Sequence, residues 1–296
     1  MAGDVEQLRA YVEYFRDMGV YEFYRRGEPV FVESAEPAET AGSTGDVVVE
    51  AAAEPRAAAV ESAAVAEVSA PPVFSAKTNY VELAIPKLVS FDALAPLPES
   101  RVAAKEKAGA LVAIREEIGD CTRCPLAYAG RRSIVFGDGD SDARLMFVGE
   151  GPGADEDVQG LPFVGKAGQL LNNMIGAMGL KREEVYIANI VKCRPPQNRV
   201  PEPVEANTCS QFLLKQIDVV QPQVIVALGA TAAMYLLGVK QSLSSLRGRW
   251  HGCRGAKLAV TYHPAFLLRD PRQKGEAWKD LQMVMKEMGL KAPAKG

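Results

Sequence analysis

Residues 145–157 read Leu-Met-Phe-Val-Gly-Glu-Gly-Pro-Gly-Ala-Asp-Glu-Asp. A continuous apolar run that stops at a glycine-rich turn, followed by acids suited to the first turn of a helix, describes a buried strand handing over to a helix. The same hand-over recurs downstream. Apolar runs at 185–190, 224–228 and 258–262 alternate with helical patterns; the clearest carries Ala167, Leu170, Leu171, Met174, Ile175 and Met178 on one face before Gly179, and another spans 204–220. This alternation predicts an α/β domain, a three-layer αβα arrangement round a central, mainly parallel four-stranded sheet. Ligands in such sheets sit beyond the carboxyl ends of the strands, so the residues that end each run are the first candidates for a site.

Upstream of this core a helix is expected over 101–118. Residues 34–98 are dominated by Ala, Val, Glu, Pro, Ser and Thr, with three aromatics, Phe74, Tyr80 and Phe91. Such a stretch buries too little apolar surface to offset its ordering entropy and reads as a disordered linker. Before it, Val5, Leu8, Val12, Phe15 and Met18 recur every three or four residues, an amphipathic helix whose apolar stripe can dock on a protein partner. The expected organisation is a helical module over 1–33, a linker over 34–98 and a globular domain over 99–296.

The chain's 34 Lys+Arg and 37 Asp+Glu give a net charge of −3, which hides a split at the first cysteine. Residues 1–120 hold 11 basic against 21 acidic side chains, a charge of −10, whereas residues 121–296 carry +7. A basic folded part behind an acidic arm suits a polyanion binder. No apolar run reaches the ~18 residues of a membrane helix, and the N-terminus lacks the basic-then-apolar order of a secretory signal. A cytoplasmic monomer without a membrane partner is expected.

Five cysteines occur, and four follow the pattern Cys121-x2-Cys124, 68 residues, Cys193, 15 residues, Cys209. Disulfides are disfavoured in a cytoplasmic chain, and two thiolates in the tight Asp-Cys-Thr-Arg-Cys-Pro loop can reach one metal centre. Zinc and an iron–sulfur cluster both accept four cysteines, and the spacing leaves the choice open. Cys253 reads as a small buried hydrophobe.

The polar residues gather where the sheet's ligand edge is expected. After the first strand come Glu150, Gly151, Pro152 and Asp155 in a turn that lets backbone approach a ligand closely. Phe163 lies in a loop bounded by glycine and proline, where its ring can face a ligand. Asn189, at the end of the second strand, offers a donor and an acceptor to the edge of a base. Lys192, Arg194 and Arg199, stiffened by Pro195 and Pro196, form a cationic loop fit for phosphates. His263 follows the fourth strand, and Leu267 and Leu268, before Arg269, can enter a duplex as a wedge. His251, in Trp250-His251-Gly252, reads as a surface turn.

Taken together, Cys-x2-Cys-Pro, GEGPGADED, GLPFVGKAGQLL, NIVKCRPPQNR, the later Cys209 and YHPAFLLR resemble the family 4, iron–sulfur uracil-DNA glycosylases over about residues 110–290. The resemblance implies a [4Fe-4S] cluster on Cys121, Cys124, Cys193 and Cys209, and hydrolysis of the N-glycosidic bond of uracil in single- or double-stranded DNA. It further implies that Phe163 stacks on an extruded uracil and Asn189 reads its edge. The backbone of Glu150 and Gly151, with Pro152, completes the pocket. His263 then stabilises charge on uracil O2, and Glu150 or Asp155 orients the water. Glu156 is expected to crowd the uracil C5 position. A related branch captures uracil covalently through a histidine in an extra basic loop; the stretch Lys192–Arg199 has no histidine, which implies turnover. The alternative is a catalytically silent iron–sulfur accessory that binds DNA, associated with a polymerase through the N-terminal helix.

Overall fold

The computed structural model describes residues 88–292. The helix expected over Val5 to Met18 and most of the expected linker lie outside these residues. A single turn, α1 (Phe91–Leu94), precedes α2 (Ala104–Ile118). The sheet opens with β1 (Asp138–Gly139) and β2 (Leu145–Gly149). Helices α3 (Ala154–Gln159) and α4 (Lys166–Ala177) lead to β3 (Tyr186–Asn189), and α5 (Pro203–Val220) leads to β4 (Val224–Leu228). Then α6 (Ala230–Leu237) and α7 (Leu243–Leu246) precede the hairpin β5 (His251–Cys253) and β6 (Ala256–Thr261), and α8 (Pro264–Arg269) and α9 (Lys274–Met288) close the domain.

The strand order is β1-β3-β2-β4-β6-β5. Its four central strands are parallel, with Met146 beside Tyr186, Leu145 beside Val224 and Val224 beside Lys257. The expected four-stranded sheet is thus extended at both edges by short antiparallel strands, β1 on β3 and β5 on β6. Neither edge strand has an apolar run to announce it. His251, expected in a surface turn, instead begins β5, with its Nε2 2.8 Å from the Leu246 carbonyl.

Residues alternate across the sheet as the pleat requires. Met146, Val148, Ala188, Ile225, Ala227 and Val260 pack with α2, α5 and α6 through Leu111, Phe212 and Leu236. Their neighbours Leu145, Phe147, Ile187, Val226 and Ala259 pack on the other side with α4 and α9 through Leu171, Ile175, Leu281 and Val284. Each Val, Leu, Ile, Phe or Met among them contributes about 1.5–3 kcal/mol when fully buried, so two covered faces hold the strand ends in register.

The expected linker boundary at residue 98 lies too late. Phe91 is 1% exposed within the first of these cores, and Asp92 accepts the Arg254 backbone N–H at 2.6 Å. The buried Arg254 side chain is paired with Asp218 and donates to the carbonyls of Phe91, Ala95 and Pro96. The segment is thus anchored by one buried aromatic and by its hydrogen bonds to Arg254, although its composition argues against order. Among the described residues no helix is long and apolar enough to cross a membrane.

Candidate active site

The chain runs from β2 outward to β3 and then crosses back to β4, which opens a crevice at the carboxyl ends of the central strands. A cavity of about 660 Å³ occupies it. Glu150 follows β2, Asn189 ends β3, Gly229 follows β4 and His263 follows β6; all line the cavity, together with Phe163 from the loop between α3 and α4. Gly151, Pro152, Asp155, Arg199 and Arg269 also line it.

Asn189 is 1% exposed, and its side-chain oxygen has no hydrogen-bond partner. An orphaned buried amide oxygen is destabilising by about 1–3 kcal/mol, a deficit that a donor entering the cavity would relieve. Gly149 explains how the amide reaches this position. A Cβ there would lie 2.4 Å from the Asn189 oxygen and 2.6 Å from the Phe163 ring. Only a residue without a side chain lets amide and ring flank one space.

The Phe163 ring is held, not merely packed. Its backbone lies at φ 52, a left-handed conformation unfavourable for a bulky residue. Arg182 donates to the Pro162 carbonyl at 2.6 Å and to the Phe163 carbonyl at 3.1 Å. On the following side, Glu156 accepts the amides of Val164 and Gly165, both at 2.9 Å, and its other oxygen accepts the Gly153 amide at 3.1 Å. These bonds make Glu156, itself in the cavity wall, a brace for the loop.

His263 caps α8 by accepting the Ala265 N–H on Nδ1 at 3.1 Å, so a neutral ring carries its proton on Nε2. Burial, helped by the Arg269 charge and opposed by Glu156, lowers its pKa to about 4. The imidazole is therefore uncharged at neutral pH. Its ring centroid lies 5.6 Å from that of Phe163, at 34°.

A second, smaller cavity is lined by Cys121, Cys124, Cys193 and Cys209, with Ile118, Ile134 and Phe212 as apolar walls. All four are free thiols. Positive or N–H groups point at three of the sulfurs: Arg123 at Cys121, Arg131 at Cys193 and the Lys192 amide at Cys209, the last at 3.2 Å. Burial pushes the Cys193 thiol up to about 11 and the Cys209 thiol up to about 12. Among the described residues no three His, Cys, Asp or Glu side chains close round a single metal ion. Cys253 lies apart, 1% exposed in the core as expected.

The sequence model of the Uracil DNA glycosylase superfamily matches residues 136–282, from the edge of β1 into α9. A type-4 uracil-DNA glycosylase of Thermotoga maritima is 49% identical over 161 residues, covering 53% of this chain and 82% of the relative. The chain belongs to this family. Type-4 enzymes of Pyrobaculum aerophilum and Archaeoglobus fulgidus are 43% and 39% identical, over 57% and 61% of this chain and 90% and 94% of theirs.

Against the sites expected for this family, the cationic loop is distributed differently. Lys192 is 1% exposed, and its ammonium donates to the Asn189 carbonyl and to Gln216, so it cannot meet a phosphate. Burial lowers its pKa to about 8. Arg199 stands at the cavity but forks onto the buried Glu205 carboxylate at 2.7 and 2.8 Å, which offsets its charge. Arg194 is half-buried and donates to Asn198, while Arg269 is exposed at the rim. Of the expected apolar wedge, Leu267 is 1% exposed in the domain interior and only Leu268, at 43%, projects outward. Sequence reasoning missed Arg182, because an isolated arginine carries no signal of the carbonyls it will reach; Gly149, the last residue of β2, stood among the glycines read as allowing a close approach.

Proposed function

We propose that this protein hydrolyses the N-glycosidic bond of uracil in DNA, releasing the base and leaving an abasic site. The observation that carries this reading is the unpartnered Asn189 amide oxygen beside the Phe163 ring in a cavity at the sheet's ligand edge. Uracil presents an N3–H donor next to the O4 acceptor, the complement of a carboxamide. Cytosine presents the opposite order and would leave both sides unsatisfied, at about 1–3 kcal/mol for each group. Stacking on Phe163 adds about 1–3 kcal/mol and requires the base to leave the helix.

Cleavage leaves positive charge on the deoxyribose and negative charge on the departing uracil. The neutral His263 donates from Nε2 to uracil O2 as that oxygen gains charge, an oxyanion contact of about 3 kcal/mol. Glu150 or Asp155 orients the water that adds to C1′, and its carboxylate offsets the sugar cation; the proton of that water balances the uracil anion. The Glu150 carbonyl already accepts the Val191 N–H, so its contribution to the pocket wall is a fixed one. Leu268 fills the vacated stack, and Arg269 meets the backbone phosphates.

The four-thiol cavity fits the cluster expected for the family: its donors are soft, its walls are apolar, and its N–H groups address the sulfurs. Cys121, Cys124, Cys193 and Cys209 would hold a [4Fe-4S] cluster. When bound, it supplies a four-point staple joining the chain before β1, the loop after β3 and α5. Nothing in the hydrolysis requires electron transfer.

Incubating the protein with single- and double-stranded uracil-containing oligonucleotides, and then cleaving abasic sites with alkali, tests the reading. Strand scission at the uracil position is expected. No product at stoichiometric enzyme overturns it in favour of a silent DNA-binding accessory.

A further inference from the structure

Lys192 is the one basic residue of its loop that faces inward, and every polar group it has is used. Its backbone N–H donates to the Cys209 sulfur at 3.2 Å, and its carbonyl accepts the Val135 N–H at 2.7 Å. Its ammonium donates to the Asn189 carbonyl at 3.0 Å and to the Gln216 side chain at 2.5 Å. Gln216 is itself fixed by donating to the Phe136 carbonyl and the Tyr186 hydroxyl. A single residue therefore binds a thiol of the cysteine cavity at one end and the backbone of Asn189 at the other.

We infer that Lys192 is a positioning residue that ties the thiol cavity to uracil reading, by holding the Asn189 backbone so that its amide faces the cavity. This rests on the uracil reading above. Asn189 is otherwise held as the last residue of β3, in register with Gly149 of β2. Its side-chain oxygen has no protein partner, so the amide's aim depends on the main chain. Gly149 opposite offers no side chain to buttress it. An apolar substitute for Lys192 keeps the volume but frees the Asn189 carbonyl and leaves Gln216 short of a donor. The cysteine ligands are untouched by that change.

The test compares the protein with Lys192→Met, reading iron content, the visible absorbance of the cluster, and the affinities for free uracil and for abasic-site DNA. Lys192→Met is expected to bind uracil roughly 10- to 100-fold more weakly, the scale of losing a hydrogen bond from a charged donor. Iron content and abasic-DNA affinity should be unchanged, because the abasic site does not use the Asn189 amide. Retained uracil affinity in an iron-loaded Lys192→Met overturns the inference, as does a parallel fall of uracil and abasic-DNA affinity, which marks a general loss of structure. Should Lys192→Met not fold, Gln216→Met removes the far anchor of the ammonium. A selective several-fold loss of uracil affinity then supports the tie, and its absence overturns it. Failure of the unmodified protein to bind uracil or excise it would instead sink the proposed function.

Discussion

At the scale of single residues, the proton on His263 carries the most consequence. A histidine with an ordinary pKa near 6.5 would change charge across the physiological range, but this one is held neutral down to about 4 by burial and Arg269. Activity is expected to show no ionisation from His263 between about pH 5 and 8. An inflection near the ordinary histidine value that disappears in His263→Gln would contradict the neutral state assigned to the ring. The linked effect on stability has a definite sign. The unfolded chain takes up this proton as the pH falls below 6.5, whereas the folded one waits until about 4, so stability declines across that window by about 3 kcal/mol in total. Urea unfolding at several pH values should show His263→Gln losing less stability on acidification than the parent. Asn189→Ala removes both edge contacts and should lower kcat/KM on uracil DNA by on the order of 10²- to 10³-fold, with abasic-DNA binding preserved. Residue types at strand ends were legible because an α/β sheet sends those positions to one edge. The direction of Lys192 and Leu267 was not. Charge and hydropathy say what a side chain prefers, and here a lysine between two buried neighbours, Val191 and Cys193, had its ammonium satisfied inside.

At the scale of elements, the loop between α3 and α4 is clamped from both ends. Arg182 holds the carbonyls before and at Phe163, Glu156 holds the amides after it, and Gly168 of α4 lets the helix press directly on the Phe163 carbonyl, where a Cβ would lie 1.9 Å from the oxygen. The strained φ of Phe163 persists because these contacts over-determine it. Arg182→Ala removes a charged donor, worth about 1.5–3 kcal/mol per bond and less here because the side chain keeps 19% exposure. It should raise KM for uracil DNA several-fold with a smaller change in kcat, and Arg182→Lys should recover part of the loss. An unchanged KM would show that packing alone sets the ring. The glycines and prolines of GLPFVG announced a loop that presents an aromatic, since they punctuate chain direction locally. The clamp itself was invisible, because Arg182 comes 19 residues after Phe163 and nothing in its neighbours encodes that meeting.

At the scale of the whole molecule, two remote segments are sewn onto the sheet: the cysteine loop before β1, and the strap at residues 88–97. The four parallel strands were readable from their apolar runs, and the strap was not, since Phe91 stands in a stretch whose average composition argues for disorder. Its anchorage is local and strong. The ring is in the core, and the Arg254 guanidinium is shared between Asp218 and three strap carbonyls. A chain beginning at residue 88 keeps the Phe91 ring in the core and the Asp92 contact to Arg254, so it should retain the melting temperature and uracil-excision rate of the full chain. A chain beginning at residue 99 is different. It empties the Phe91 site, a loss of about 3–5 kcal/mol by analogy with buried aromatic truncations. It also strips Arg254 of its carbonyls, leaving Asp218 as partner. For a domain of this size each kcal/mol shifts the midpoint by about 2–4 °C, so melting should fall by roughly 10 °C or more. Phe91→Ala in the full chain should reproduce most of that fall, which separates the ring's contribution from that of chain length. Circular dichroism melts of the four proteins decide the matter. Equal midpoints for chains beginning at 88 and 99 would mean that the strap lies on the domain without stabilising it, and that the folded unit begins at α2.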